Sequence, residues 1–401
     1  MKTFLLLLLF SSLADAGTFT PGQLATLAEE RAPLIKMHLE GNAAASSQVS
    51  QSKLFANPVF ALQSGQLRSG GQKGSVMDVT VNQPVPWPGK KFAEINSAKL
   101  LEKISEVDVE ESRLIVNHSV SLLSVEYAVV NELVRHNQER KLRYGIIHKF
   151  LTSRPMASPR QMVEKNLIET QISLVEGRMF DLETKKRSLS EHLKKFTGEK
   201  VIEVNVDWKQ VHSPPDISYF AAELENGPEF RRSKKLEELA LNRVEEAKYH
   251  ARPDIIVGVN YRQENIAPVN HFYHANLAVV IPIIDRGQHT MEVARAQARR
   301  EEAHKNVVKL NANDQLDESY EALRSAYKST EIFPISSIKK IDRNFTVAEE
   351  SFRKGRIDVT TFLQSDVQIH EAIDLAYVSF VKYYTELSKL QLLTGKKLEI
   401  R

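Results

Sequence analysis

The stretch Gln83-Pro84-Val85-Pro86-Trp87-Pro88-Gly89-Lys90 has a second version in Ile281-Pro282-Ile283-Ile284-Asp285-Arg286-Gly287-Gln288, and the two together decide the fold. In both, a proline stands five positions before a glycine, Pro84 before Gly89 and Pro282 before Gly287. Upstream of each lies a run of alternating apolar and polar residues, the period of a strand; downstream lies a long segment almost free of Gly and Pro, the composition of a helix. Pro88 suits the first turn of such a helix, where its missing N–H costs nothing. Asp285 with Gln288 three positions on reads as a capping box. Pro84, Trp87, Gly89 and Pro282, Asp285, Gly287 therefore mark two strand-to-helix turns.

Working outward, the chain repeats itself once. Pro33 to Pro228 and Pro58 to Pro253 are each 195 positions apart, Gly89 to Gly287 is 198, and Gly198 to Gly395, in Thr197-Gly198-Glu199-Lys200 and Thr394-Gly395-Lys396-Lys397, is 197. One offset drifting by so little relates four landmarks, which scattered matches would not do. The expected organisation is a leader over 1–16, a first repeat over 17–200 with a β-hairpin at about 57–84, a linker over 201–226, and a second repeat over 227–401 with a hairpin at about 253–283. Within each repeat a helix of about 30 residues leads into the hairpin, a very long helix follows, and a second helix returns.

The strands are expected over Pro58–Gln66, Val76–Gln83, Pro253–Arg262 and Asn276–Ile281, with polar turns at Arg68–Gly74 and Glu264–Asn270. From Gly287 almost to Gly355 the one strong breaker is Pro334, so a helix of about 60 residues would reach on the order of 90 Å, with Pro334 as its place to kink or break. In the returning helix Ile373, Ala376, Phe380, Tyr383, Leu387 and Leu390 recur at a coiled-coil spacing.

Composition agrees with long helices: 26% of the 401 residues are charged, while Gly (16) and Pro (15) are few. The net charge of +3, from interspersed Lys+Arg (54) and Asp+Glu (51), gives no basic face for nucleic acid. With no cysteine there are no disulfides, thiolate metal sites or thiol nucleophiles. Met1-Lys2, the apolar run Phe4 to Phe10 and Ala14-Asp15-Ala16 have the form of a secretory signal peptide, too short to span a membrane as an anchor.

Two isolated hairpins would not be stable in water, and their edges would invite aggregation. Strands of this length suit a tilted barrel wall in a membrane, yet four are too few to close one, so several chains must contribute. The residues then carry a resemblance. Asn57-Pro58, the two quoted turns, Arg252-Pro253-Asp254 and Phe352-Arg353-Lys354-Gly355 are similar, in order and over nearly the whole mature chain, to the landmarks of the TolC-like outer-membrane factors. The resemblance implies a mainly α chain with a small β part, in which long antiparallel helical hairpins form an α-barrel. It also implies that two β-hairpins per chain build a 12-stranded transmembrane β-barrel in a homotrimer. Located in the outer membrane, in contact with its lipid and extending into the periplasm, such a duct would meet a periplasmic adaptor (membrane fusion) protein and an inner-membrane pump of RND or ABC type. The Pro-Trp-Pro-Gly-Lys turn resembles the branch serving heavy-metal exporters; the residues themselves leave metal, drug or type I secretion cargo open.

In such proteins the periplasmic tip lies where each long helix turns back, here Phe352 to Asp358 and, 197 positions earlier, Arg154 to Arg160. Gly355 permits the tight turn. Family members place carboxylates just after it as a constricting ring; this sequence has Thr361 and Gln364 there, leaving Asp358 and Asp366 as substitutes. For Asp358 a helix N-cap is the preferred reading over a gate carboxylate. Arg160, Gly355, Arg356, Asp358 and Asp366 are thus the gate candidates. His271 and His274 lack a clear third ligand for a metal site. No nucleophile, acid–base set, phosphate loop or cofactor motif appears, so the expectation is a passive duct without catalysis, metal or cofactor. The competing reading is a soluble periplasmic coiled-coil adaptor, which would need a strand-built sandwich that the sequence does not supply.

Overall fold

The computed structural model of the chain describes residues 18–153, 158–199 and 203–400. The expected leader and the Arg154 to Ala157 part of the first turn lie outside these residues. In chain order the elements are β1 (Thr18–Phe19), α1 (Pro21–Arg31), α2 (Pro33–Ser52), β2 (Val59–Ser69), β3 (Gln72–Val85), α3 (Pro88–Thr152) and α4 (Pro159–Thr197). There follow β4 (Glu203–Val204), α5 (Ile217–Ala221), α6 (Pro228–His250), β5 (Asp254–Asn265), β6 (Asn270–Val280), α7 (Gln288–Ile332), α8 (Ile338–Arg353) and α9 (Val359–Leu393). Short 3-10 turns cover Leu224–Asn226 and Ile335–Ser337. The chain forms two compact units, one of residues 37–110 and 228–311, the other of 18–36, 111–227 and 312–400.

The first unit carries an antiparallel sheet in the order β2-β3-β5-β6. Every strand is longer than its sequence pattern suggested, because the turns are tighter. Gly70 and Gly71 both have positive φ (56° and 84°) and make a two-residue turn between the paired Ser69 and Gln72. That geometry matches strand twist and lets pairing continue to the tip. Beyond the sheet, α3 begins at Pro88 as expected, and the ring of Tyr249 on α6 lies where a Cβ on Gly89 would stand. Asn242 on α6 donates to the Ala93 carbonyl (2.9 Å) and to Ser97 Oγ (2.8 Å), fixing the two helices side by side. Asp285 is not the first member of a capping box. Its Oδ1 accepts from the Gly287 N–H (2.9 Å), Gln288 Oε1 accepts from the Arg286 N–H (3.0 Å), and α7 starts only at Gln288.

The second unit is helical apart from the short parallel pair of β1 with β4, with a core drawn from α1, α3, α4, α7 and α9 around Leu24, Val120, Tyr127, Leu193, Leu323, Phe380 and Tyr384. The coiled-coil spacing in α9 has its physical cause here: Ile373, Ala376, Phe380, Tyr383 and Leu390 are all buried. Both Thr-Gly ends close helices in the same way. Thr197 Oγ1 donates to the Leu193 carbonyl (2.8 Å) and Thr394 Oγ1 to the Leu390 carbonyl (3.0 Å). Each is followed by a left-handed glycine, Gly198 at φ 74° and Gly395 at φ 73°, which only a residue without Cβ adopts cheaply. The expected single helix before the first hairpin is interrupted, α1 stopping before Pro33, and of the two alternatives at Pro334 the structure has the break, α7 stopping at Ile332 before the 3-10 turn that leads into α8. Proline removes the N–H that would have continued the ladder.

Candidate functional site

In the sheet, residues directly paired across strands share a face. Phe60, Val81, Val259 and Ala275 form one row, and Leu62, Val79, Tyr261 and Tyr273 the next; Val257 with Leu277 and Ile255 with Val279 extend the same face. Over these rows the face is apolar except for Gln83, the partner of Val257, and the row beyond holds Ser64, Met77, Gln263 and His271; the apolar band is uncovered, Phe60 being 66%, Leu277 70% and Tyr273 79% exposed. The opposite face holds Asn82 with Asn276, Thr80 with Asn260 and His274, and Asp78 with Arg262. Its polar groups bond to one another, Asn260 Nδ2 to Thr80 Oγ1 at 2.7 Å and Asn276 Nδ2 to Asn82 Oδ1 at 2.9 Å. Gly258 leaves room for that ladder, since a Cβ there would overlap both Asn82 and Asn276. Among the described residues β2 pairs only with β3 and β6 only with β5, so the sheet ends in two open edges of 11 residues each.

The strand-to-helix turn residues stand at one end of this sheet. Pro84 is the partner of Ile256 within β3, Trp87 is 36% exposed between strand and helix, and Pro282 lies in the loop leading from β6 to Gly287, whose φ is 72°. Leu54, Phe55, Ile281, Ile283 and Ile284 around them are exposed. His271 and His274 sit in β6, not in a loop, and three positions on a strand put them on opposite faces. His271 Nδ1 instead meets Tyr261 Oη at 2.8 Å. No cluster of three metal-ligating side chains occurs among the described residues.

In the helical unit the turn from α8 to α9 is closed at Gly355 (φ 66°), whose N–H reaches the Phe352 carbonyl (2.9 Å) while the Arg356 N–H reaches the Ser351 carbonyl (2.9 Å). Asp358 caps α9: its Oδ1 accepts from the Thr361 N–H at 2.8 Å, and that bond, with a smaller contribution from Arg160, holds its carboxyl below the usual aspartate range. Ser158 takes the same place before α4, with the Gln161 N–H as its donor (3.4 Å). Arg160 is exposed and pairs with Glu164 one turn on (3.0 Å), and Arg356 is exposed in the turn.

Asp366 is different. It has no exposure at all, so it offers no free carboxylate to solvent. Arg140 Nε donates to its Oδ2 (2.8 Å), the Arg140 guanidinium makes a second, shorter contact, and Tyr144 Oη donates to the same oxygen (2.5 Å). Burial, reinforced by the carboxylate, pushes the Tyr144 phenol up. His370 Nδ1 donates to the Asp366 backbone carbonyl (2.9 Å) and stands 3.3 Å from Oδ1. Because a carbonyl only accepts, that ring nitrogen carries the proton. Arg140, Tyr144 and His370 were not singled out from sequence. Their signal was present as two charged or polar i, i+4 pairs, Arg140/Tyr144 and Asp366/His370, set inside otherwise apolar helix stripes.

No protein-family model and no curated protein matches the chain. Solved structures do. The outer membrane protein VceC from the bacterial pathogen Vibrio cholerae superposes with a TM-score of 0.74 at 12% identity, covering 94% of this chain and 97% of its own. The open state of the Neisseria gonorrhoeae MtrE outer membrane channel gives 0.74 at 12% identity over 94% and 89%. CusC, solved in work on folding and transmembrane channel formation, gives 0.76 at 12% identity over 96% of each chain. This chain has the fold of those outer-membrane channel proteins.

Proposed function

With that shared fold as premise, we propose that this chain is one subunit of a TolC-like outer-membrane channel, a passive homotrimeric duct that spans the outer membrane and the periplasm and catalyses nothing. The observation that carries the reading is the sheet. It has one uncovered apolar face, one hydrogen-bonded polar face and two open edges, the pattern of a barrel wall with lipid outside and water inside. Strands of 11 to 14 residues reach across a bilayer when tilted. Three copies supply twelve strands and join β6 of each chain to β2 of the next, which removes every open edge. No described helix is long and apolar enough to cross a membrane.

The two quoted turns, the two capped returning helices and the two Thr-Gly ends support the internal two-fold repeat, with 17–200 and 227–401 as its units joined by 201–226. In this reading α3 with α4, and α7 and α8 with α9, build the periplasmic α-barrel. The turns at Ser158–Arg160 and Gly355–Asp358 form its tip, where a periplasmic adaptor docks and connects to an inner-membrane RND or ABC pump that supplies the energy. Of the gate candidates, Arg160, Gly355, Arg356 and Asp358 are the surface-accessible ones. A soluble adaptor is the poorer reading, because it leaves the apolar sheet face and both edges without cover.

The test is assembly and conduction. Detergent-extracted protein from the outer-membrane fraction should contain three chains per particle by light scattering and open ion-conducting pores in planar bilayers. A monodisperse water-soluble monomer contradicts the proposal.

A further inference from the structure

The α3–α9 seam of the helical unit is not continuously apolar. One buried cluster contains Val129, Leu133, Ile338, Ile373, Ala376 and Tyr377; another contains Tyr144, Ile147, Phe345, Phe352, Val359 and Phe362. Between them in sequence on both helices lies the Arg140–Asp366–His370 group, with Tyr144 reaching it from the edge of the second cluster. A buried ion pair adds little stability over an apolar layer, but breaking it is costly, which suits a switch better than a clamp. Here the carboxylate is loaded on one side only. Oδ2 accepts from Arg140 and Tyr144, while Oδ1 accepts no hydrogen bond and faces His370 Nδ1 at 3.3 Å.

We propose that this layer is a proton-operated latch between α3 and α9, closed while His370 is neutral and released when His370 takes a second proton. His370 faces Asp366 and Asp374 on its own helix and Arg140 on α3, and the Phe345 ring of α8 stands against it edge-on. Asp374 is engaged by Arg178 of α4, and Asp342 of α8 by Arg143 of α3. The Asp374 and Asp342 carboxylates are each engaged by an arginine and Asp366 gives its Oδ2 to Arg140 and Tyr144, so an imidazolium would stand in a buried layer beside Arg140 with only Asp366 Oδ1 to meet it. Burial accordingly holds the His370 imidazole below the ordinary histidine range, the Asp366 carboxylate opposing only in part. The sign follows. A histidine depressed in the folded state binds fewer protons there than when exposed, so its contribution is fully present above the ordinary value of 6.5 and is lost as pH falls below it. An imidazolium there repels Arg140 and draws on the Asp366 carboxylate that Arg140 and Tyr144 hold from α3, so acid loosens the α3–α9 link near the turn that carries Gly355.

The latch is a property of this unit and does not depend on the channel reading. Its test therefore avoids conductance. Hydrogen exchange of backbone amides in 137–147 and 363–373 is compared at pH 7.5 and 5.0, corrected for intrinsic rates, against core amides near Val120 and Tyr384 in the same protein. Wild type should lose protection in the two latch segments by about threefold or more on acidification, relative to the reference amides. His370→Asn keeps a donor to the Asp366 carbonyl but cannot be charged, and should hold its protection at both pH values. Asp366→Asn removes the carboxylate and should be loosened already at pH 7.5. Equal protection of wild type at the two pH values, or an acid response that survives in His370→Asn, overturns the latch.

Discussion

Replacing Arg140 by methionine tests how the buried layer is held. The arginine is 9% and Asp366 0% exposed, which places the pair at the buried end of the range, where removal of one partner costs about 3–5 kcal/mol because the other charge is left without its counter-ion. Tyr144 still donates to Asp366 after the change, and a hydrogen bond to a charged group is worth about 1.5–3 kcal/mol, so the lower part of that range is expected, about 3 kcal/mol. The matched double change Arg140→Met with Asp366→Leu removes both charges and fills similar space. It leaves the Tyr144 hydroxyl without its acceptor and should therefore cost about 1–3 kcal/mol, less than the two single changes added, giving a coupling of about 2 kcal/mol or more. Local opening free energies from hydrogen exchange along α3 and α9 measure all three proteins without requiring two-state unfolding of an oligomer. A cost under about 1 kcal/mol for Arg140→Met, or a double variant as damaged as the two singles added, would refute the energetic account of this layer.

Two further perturbations act elsewhere. Gly258→Val pushes a side chain into Asn82 and Asn276 on the polar face and should abolish assembly, read as loss of the high-mass species in detergent, while Val259→Leu on the apolar face is tolerated. Gly355→Ala meets no neighbouring atom, so its cost is the left-handed backbone alone, about 1 kcal/mol, seen as faster exchange confined to the α8–α9 turn.

Much of this arrangement was legible in the sequence. Strand alternation, the Pro-to-Gly spacing at both strand-to-helix turns and the Thr-Gly ends are local signals whose physical causes are local too: pleat, first-turn proline and left-handed glycine. The strand ends were read short because Gly70-Gly71 needs only two residues to turn, and a polar run such as Arg68 to Gly74 looks the same as a loop or as a paired polar strand end. The break after Ile332 was marked by Pro334, but whether a helix bends or ends there is settled by packing and not by the proline. Asp366 illustrates the harder limit. Its position after the turn suggested an exposed gate carboxylate, whereas its environment depends on Arg140, 226 positions away, a pairing that no local pattern encodes.

The central claim is that one face of the sheet meets lipid and the other water, and the cysteine-free chain allows a direct measurement. Nitroxide labels placed singly at residues 257 to 262 of β5, in protein reconstituted into lipid vesicles, report accessibility to oxygen, which partitions into lipid, and to a water-soluble nickel complex. The account predicts strict alternation, oxygen favoured at Val257, Val259 and Tyr261, nickel at Gly258, Asn260 and Arg262. Uniform nickel accessibility, or the reverse alternation, would contradict it.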